Sequence, residues 1–490
     1  MKAINPVLYS DFPDPDVIRV GETYYLVTTT MHFFPGAQIL SSRDLVNWQH
    51  EAYAYDIFGE TEKQQLKNGG IYGQGMWAPC LRYHDGVFHL VFCCNDTRRC
   101  YHYTASNIRG PWEKHYIEGF YQDPSVLFDD DGRVYIVYGN RDIYITQLKE
   151  DLSAPMPGGL HRRILHDETE GLGWEGSHIY KIDGKYYLCN IHWPKGHMRT
   201  QGLHMAESLT GDFIGGDVLE DDLDGSFRGV AQGGLIDTPD GEWYMMLFQD
   251  HGAEGRMPVL VSVKWQGNRP VPQKGQAILE TDVDETLPKL YTSDALRGGI
   301  SPLWQWNHEP DGQHMAFSDN GLQLTCLGPA ENVEQARNTL TQKCFGRQCI
   351  CTVTLDASGL KEGDYAGICA LQGCFGQLCV TVKNEQKILS LITREAEENS
   401  IFKSPEQPQE RVSIPLTQDI VTLRAAFDYT CDQVQFFYDQ GGIFVPVGNA
   451  HPLTYRLDHF TGCRIGLCAF SQAETGGKVL FRDFVYQVLS

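Results

Sequence analysis

Long apolar runs are missing from these 490 residues. No stretch approaches the roughly 20 apolar residues that a bilayer-spanning helix needs. Positive charge is also scarce: 40 Lys and Arg stand against 63 Asp and Glu, a formal net charge of −23. So acidic a chain repels phosphate backbones and anionic lipid, which excludes nucleic acid and a membrane surface as expected partners. It suits a neutral substrate. A disulfide framework has no support, because the 15 cysteines are odd in number and scattered. Cys93, Cys94, Cys349 and Cys351 fall inside apolar strand patterns, and Cys349-Ile350-Cys351 has no second Cys or His pair at metal-ligand spacing. They are expected to be reduced core thiols. The opening MKAINPVLYSDFPDPDVIRV has one lysine and no apolar h-region, so no cleaved secretory signal is expected. Together these features lead to an expected cytoplasmic location.

What is present is a strand-forming composition: 11% aromatics, 50 glycines and 23 prolines in a chain long enough for two or three domains. A repeat organises its first part. DPDVIRVGETYYLV from Asp14, APCLRYHDGVFHLVF from Ala78 and DPSVLFDDDGRVYIVY from Asp123 share one pattern. GSHIYKIDGKYYLC from Gly176 and GGLIDTPDGEWYMML from Gly233 complete it. Each runs from apolar residues through a tight turn at Gly21, Gly86, Gly132, Gly184 or Gly241 into an aromatic or aliphatic strand. Those turns need the positive φ that glycine adopts freely. They recur every 45–65 residues or so, the length of one four-stranded propeller blade. A looser repeat interleaves with them, in SSRDLVNW from Ser41, ASNIRGPW from Ala105 and AESLTGDF from Ala206. Five copies predict an all-β, five-bladed β-propeller over residues 1–290.

The repeat stops near Lys264-Trp265, and GNRPVPQKGQAILETDVDETLPK reads as a surface linker. Beyond it, GLQLTCL, CICTVTL, QLCVTVK and DQVQFFYD alternate without the blade period. Short strands at even spacing predict a concanavalin-like β-sandwich over 299–490.

Three acids share a register within the repeat. Asp14 and Asp123 each open a copy and precede proline, in FPDPDV and YQDPSV, and Glu175 comes just before the equivalent point of the fourth copy. Any one of them reads equally well as a turn former or an ion-pair partner. Equivalent blade starts, however, converge on one end of the central channel. Carboxyls gathered there raise one another's pKa, so that one stays protonated while another is ionised. Hydrolysis of a glycosidic bond needs that combination of acid and base.

These residues resemble glycoside hydrolase family 43. The likeness is carried by NPVLYSDFPDPDVIRVGETYYLV, FFPGAQILSSRDLVNW, GMWAPCLRYHDGVFHL, QDPSVLF and WEGSHIYKIDGKYYL, and it continues through FTGCRIGLCAF into the sandwich. The resemblance implies inverting hydrolysis, with Asp14 the general base, Glu175 the general acid and Asp123 the group that orients the acid and raises its pKa. Inversion places the base and acid carboxyls roughly 6.5–9.5 Å apart. It further implies a substrate-binding Arg256 and a subsite aromatic at Trp77, with Phe33 and Phe34 on the loop lining the pocket. Trp193 and His192, after a fourth-blade strand, are expected at its border.

The chain departs from its relatives in three places. Where many members carry a channel histidine, sometimes beside a divalent ion, RGVAQGGLIDT puts Gln232. A neutral amide is a poor ligand for a transition metal, so no cofactor is expected and a channel ion such as calcium lacks support. Arg464 takes the place of a phenylalanine that closes the pocket in some xylosidases, and Met31 replaces an aromatic. The expected activity is exo-acting release of terminal pentoses from oligosaccharides, as β-xylosidase, α-L-arabinofuranosidase or both. The alternatives are a non-catalytic sugar-binding propeller, which would not need all three acids, and an endo-arabinanase, which needs an open groove. Homo-oligomerisation stays open at this level.

Overall fold

The computed structural model describes residues 2–223, 225–275, 282–396 and 406–489. Five four-stranded antiparallel sheets follow one another along the chain, each built from contiguous sequence. The first blade comprises Asp16–Val20, Thr23–Val27, Gly36–Ser42 and Trp48–Tyr55, and the second Met76–His84, Val87–Cys94, Arg99–Ala105 and Glu113–Ile117. The third holds Ser125–Phe128, Val134–Asn140, Asp142–Leu148 and His161–His166. The fourth holds Gly171–Ile182, Lys185–Pro194, Thr200–Ala206 and Ile214–Leu219. The fifth closes the ring with Val230–Asp237, Trp243–Asp250, Arg256–Gln266 and Arg269–Pro272. The hairpin glycines, Gly21 to Gly241, have φ between 63° and 83° in open space, so conformation alone demands glycine there.

Among the described residues no strand is exchanged between the fifth blade and the first, and apolar packing joins them. Val17, Leu26 and Leu40 of the first blade share a core with Ile236, Met246 and Leu260 of the fifth. The amino-terminal segment reinforces that seam, since Asn5 exchanges hydrogen bonds with the backbone of Leu260.

The second domain is a sandwich of two large antiparallel sheets. Alternation in strands such as Gln348–Asp356 and Ile420–Asp428 buries one face of each against a common core that includes Val353, Leu355, Leu423 and Phe436. Of the sequence-predicted linker, residues 276–281 lie outside the described residues. The chain beyond them passes along the first blade, where Asp282 bridges Lys2 and the Asp284 N–H donates to Asn47 Oδ1 at 2.7 Å.

The domains share structure as well as a boundary. Phe33–Phe34, on a loop of the first blade, pairs with Gln305–Asn307 and forms the edge strand of a sandwich sheet. This overturns the expectation that Phe33 and Phe34 line the pocket. Phe33 is buried in a sandwich core with Phe375 and Phe470, and Phe34 in the core between the first two blades. An apolar pair on a strand buried from both sides stabilises far more by packing than it would facing water.

Candidate active site

The five innermost strands carry the site in one register. Asp16, Cys80, Ser125, His178 and Gly234 occupy equivalent ladder positions. Two residues earlier stand Asp14, Ala78, Asp123, Gly176 and Gln232, and all five have positive φ, from 28° at Ala78 to 62° at Gly176. In the second, fourth and fifth blades the ladder is broken by a bulge at this point. A left-handed residue at a bulge turns the backbone out of the sheet and re-aims the neighbouring side chain. Repeated around the ring, it points one residue per blade into the channel mouth.

Asp14 is buried and held on both oxygens. Arg256 Nη1 donates to Oδ1 at 2.7 Å and Thr29 Oγ1 to Oδ2 at 2.7 Å. Thr29 also accepts the Ala78 N–H at 2.8 Å, which locks the first blade's mouth to the second's. Asp123 Oδ2 accepts the Gly176 N–H at 3.2 Å, next to the acid that it faces. Burial, then the negative charges of Glu175 and Asp14, push the Asp123 carboxyl well above the carboxylate range. Glu175 is raised to about 7, chiefly by burial, with Asn140, Arg256 and Arg199 opposing the rise and Asp14 adding to it. Its Oε2 accepts from Asn140 Nδ2 and, at 3.4 Å, from Gln122 Nε2. An oxygen that accepts two N–H donors is the carbonyl-like one, so the proton of the neutral acid belongs on Oε1.

The guanidinium of Arg256 lies between two rings, with Cζ 4.9 Å from the Phe248 centroid and 4.5 Å from that of Phe460. Asp250, at the mouth end of a second strand, pairs with Arg199 and lies 3.6 Å from Arg256 Nε. Arg199 in turn sits over the half-exposed ring of Trp193 at 4.5 Å. Burial, then repulsion from Arg256, lowers the Arg199 pKa to about 9. Trp77 packs against Phe460 with centroids 5.5 Å apart.

Asp14, Asp123, Glu175, Arg256 and Trp77 thus meet at one mouth, with Trp193 at its rim. Other expectations change. His192 is buried within the second strand of the fourth blade, its ring 4.1 Å from that of Trp174, its Nδ1 3.1 Å from Asp217 and its Nε2 3.3 Å from Asp167. Two carboxylates claim both ring nitrogens, so it braces the sheet and does not border the pocket. Gln232 packs on Gly176, where a β-carbon would come within 2.8 Å of its Cγ, and its N–H donates to Gln201. Met31 is buried at a backbone bridge to Met76.

Arg464 is not over the pocket. It is buried at the domain boundary, 3.6 Å from the Phe33 centroid, and donates to Gln305 at 2.8 Å. The aromatic that closes the mouth from the sandwich is Phe460, four residues earlier. Sequence reasoning also missed Asn140, Arg199 and Asp250. The signal for two of them was a polar residue ending the apolar second strand, in VYGN and MMLFQD.

Below the mouth the channel is plugged. Asp16 accepts from Leu81 N at 2.7 Å and Arg82 Nη1 at 2.8 Å, and its other oxygen lies 3.0 Å from His178 Nδ1. Arg82 continues to Ser125 Oγ at 2.8 Å. A fixed guanidinium at this level and an acid with both oxygens engaged do not fit a divalent cation. Among the described residues no set of three His, Cys, Asp or Glu side chains is placed to hold a metal ion.

A propeller with an acid pair, a clamping arginine and aromatic walls at its mouth defines a glycoside hydrolase. The family model for glycosyl hydrolases family 43 matches residues 3–270, and a β-xylosidase carboxyl-terminal concanavalin A-like domain matches 297–487. The chain belongs to glycoside hydrolase family 43. It is 26% identical to a β-xylosidase of Formosa agariphila, over 99% of this chain and 90% of that one. It is 27% identical to xylosidase/arabinosidase 43B of Humicola insolens, over 99% and 97%. Among solved structures, a bifunctional GH43-CE protein of Bacteroides eggerthii superposes with a TM-score of 0.92 at 38% identity. All of this chain is covered, but it spans only 64% of that protein. A GH43 enzyme engineered to display endo-xylanase and exo-arabinofuranosidase activity superposes at 0.88, with 25% identity and full coverage of both chains.

Proposed function

We propose that this enzyme is an inverting exo-glycosidase that releases single pentoses from the non-reducing ends of short oligosaccharides, acting on β-xylosides and on α-L-arabinofuranosides. The carrying observation is the division of labour among the acids. Glu175, raised to about 7 and bonded on Oε2, is a proton donor at Oε1. Asp14, ion-paired to Arg256 and bonded to Thr29, is a carboxylate fixed in orientation to take a proton from water. As water adds to the anomeric carbon, Asp14 accepts its proton, the glycosidic C–O bond breaks and Glu175 protonates the departing oxygen. Asp123 accepts the N–H of Gly176, the residue after Glu175, which supports a role in orienting the acid.

Exo action is supported by the sandwich side of the mouth, where Phe460 stands against both Trp77 and Arg256. Met31 and Arg464, two of the departures from xylosidases, are both buried, Arg464 against Phe33, and Phe460 supplies an aromatic beside Trp77 and Arg256. β-Xyloside is therefore the preferred substrate. The test is hydrolysis of aryl β-D-xyloside and aryl α-L-arabinofuranoside by wild type and Glu175→Ala. The expected result is release from both, faster from the xyloside. A wild type that releases aryl alcohol from neither would overturn the reading.

A further inference from the structure

Tyr455 lies on the sandwich loop over 454–463 that also presents Phe460. Its hydroxyl is buried and has no hydrogen-bond partner within the protein. Several other buried tyrosines share that property, but their surroundings differ. Tyr55 and Tyr103 lie within a stack of aromatic rings, and Tyr429 faces Cys344 and Cys463. Tyr455 faces Arg256, Arg199 and Asp14, the charged groups of the catalytic mouth, along with Asp11. Burial raises its hydroxyl to about 12, against the pull of Arg256, so at neutral pH it carries a proton to donate.

The loop that delivers this hydroxyl is tied to the substrate-binding arginine. One carboxylate, Asp11, accepts the N–H of Arg256 on Oδ1 at 2.9 Å and the N–H of Gly462 on Oδ2 at 2.9 Å. The Cys463 N–H donates to Ala253 O at 2.8 Å, and a β-carbon on Gly462 would fall 2.2 Å from Glu254 O. In the middle of the loop His459 Nε2 lies 3.1 Å from Glu334 Oε1, and its ring stacks on Tyr72 at 4.1 Å. The ring of Tyr455 packs near Phe460 at 6.4 Å, a contact phenylalanine would make equally well. The hydroxyl needs another reason to be there, because burying it unpaired is destabilising.

We propose that Tyr455 is a substrate-binding residue, its hydroxyl bonding a ring hydroxyl of the terminal pentose beside Arg256 and Arg199, so that the sandwich takes part directly in recognition. The proposal rests on the pentosidase reading of this mouth. Tyr455→Phe keeps the ring and removes only the hydroxyl. Three quantities separate binding from packing: KM and kcat on aryl β-xyloside, Ki for free D-xylose, and the melting temperature. The expected result is a loss of about tenfold in kcat/KM, carried mainly by KM, with Ki rising by a similar factor and the melting temperature unchanged or higher. KM and Ki both within about twofold of wild type, in an enzyme that hydrolyses the xyloside, would overturn the proposal. Wild-type inactivity on both glycosides would instead sink the pentosidase reading.

Discussion

The mouth has two walls of different construction. The propeller wall is made of strands: Asp14, Asp123 and Glu175 sit at or beside one left-handed residue per blade, in sheets hydrogen-bonded along their length. The sandwich wall is a single loop, bearing Tyr455 and Phe460 and fastened chiefly through Asp11, Ala253 and Glu334. Groups that move protons must be placed to within about half an ångström, which strands achieve better than loops. Groups that select a sugar tolerate variation, and loops vary at little cost to the fold. Chemistry should therefore fail when the first wall is altered, and selectivity when the second is.

The largest expected effect is on the strands. Asp14→Asn and Glu175→Gln should each lower kcat/KM for xylobiose by roughly 10²–10⁴-fold. An aryl xyloside with an acidic phenol should restore much of the rate to Glu175→Gln and little to Asp14→Asn, because only the former loss is one of leaving-group protonation. Altering the loop should do less. Phe460→Ala, which strips a ring from Arg256 and Trp77, should raise KM about tenfold with kcat within a few-fold of wild type. Equal losses in kcat from the Phe460 and Asp14 variants would abolish the distinction between the walls.

Smaller effects are readable in pH. Glu175 must be protonated to act, so kcat/KM should fall as pH rises through about 7. The Asn140 hydrogen bond favours the ionised form, so Asn140→Ala should move that limb to higher pH. For the loop, burial alone would raise the Glu334 carboxyl, but His459 and Arg394 outweigh it and hold it at about 2. A lowered folded-state pKa contributes stability that is present above the ordinary carboxylate range and is lost as pH falls toward 2. Denaturant titration should show Glu334→Gln less stable by about 2 kcal/mol at pH 7 and less sensitive to acid. The smallest expected effect is none at all: dialysis against EDTA should leave the rate unchanged, since Arg82 and a fully engaged Asp16 occupy the channel.

The two walls also differed in how far the sequence revealed them. The blade count, the shared register of the acids and the sandwich were legible because hairpin glycines, Asp-Pro starts and strand alternation are local signals. Pairing between Phe33–Phe34 and Gln305–Asn307 is not local, so an aromatic loop read as a pocket wall when it is a sheet edge. The same blindness exchanged Phe460 for Arg464, since an offset of four residues along a loop has no periodicity to fix it. His192 misled for the same reason: its partners Asp167 and Asp217 come from segments whose approach no spacing reveals.

The central claim, that Asp14 activates water while Glu175 protonates the leaving group, is tested most directly by proton NMR of the sugar first released from an aryl β-D-xyloside. Inversion predicts α-D-xylose as the initial anomer, with β appearing only by mutarotation. β-D-xylose as the first product would contradict the role given to Asp14.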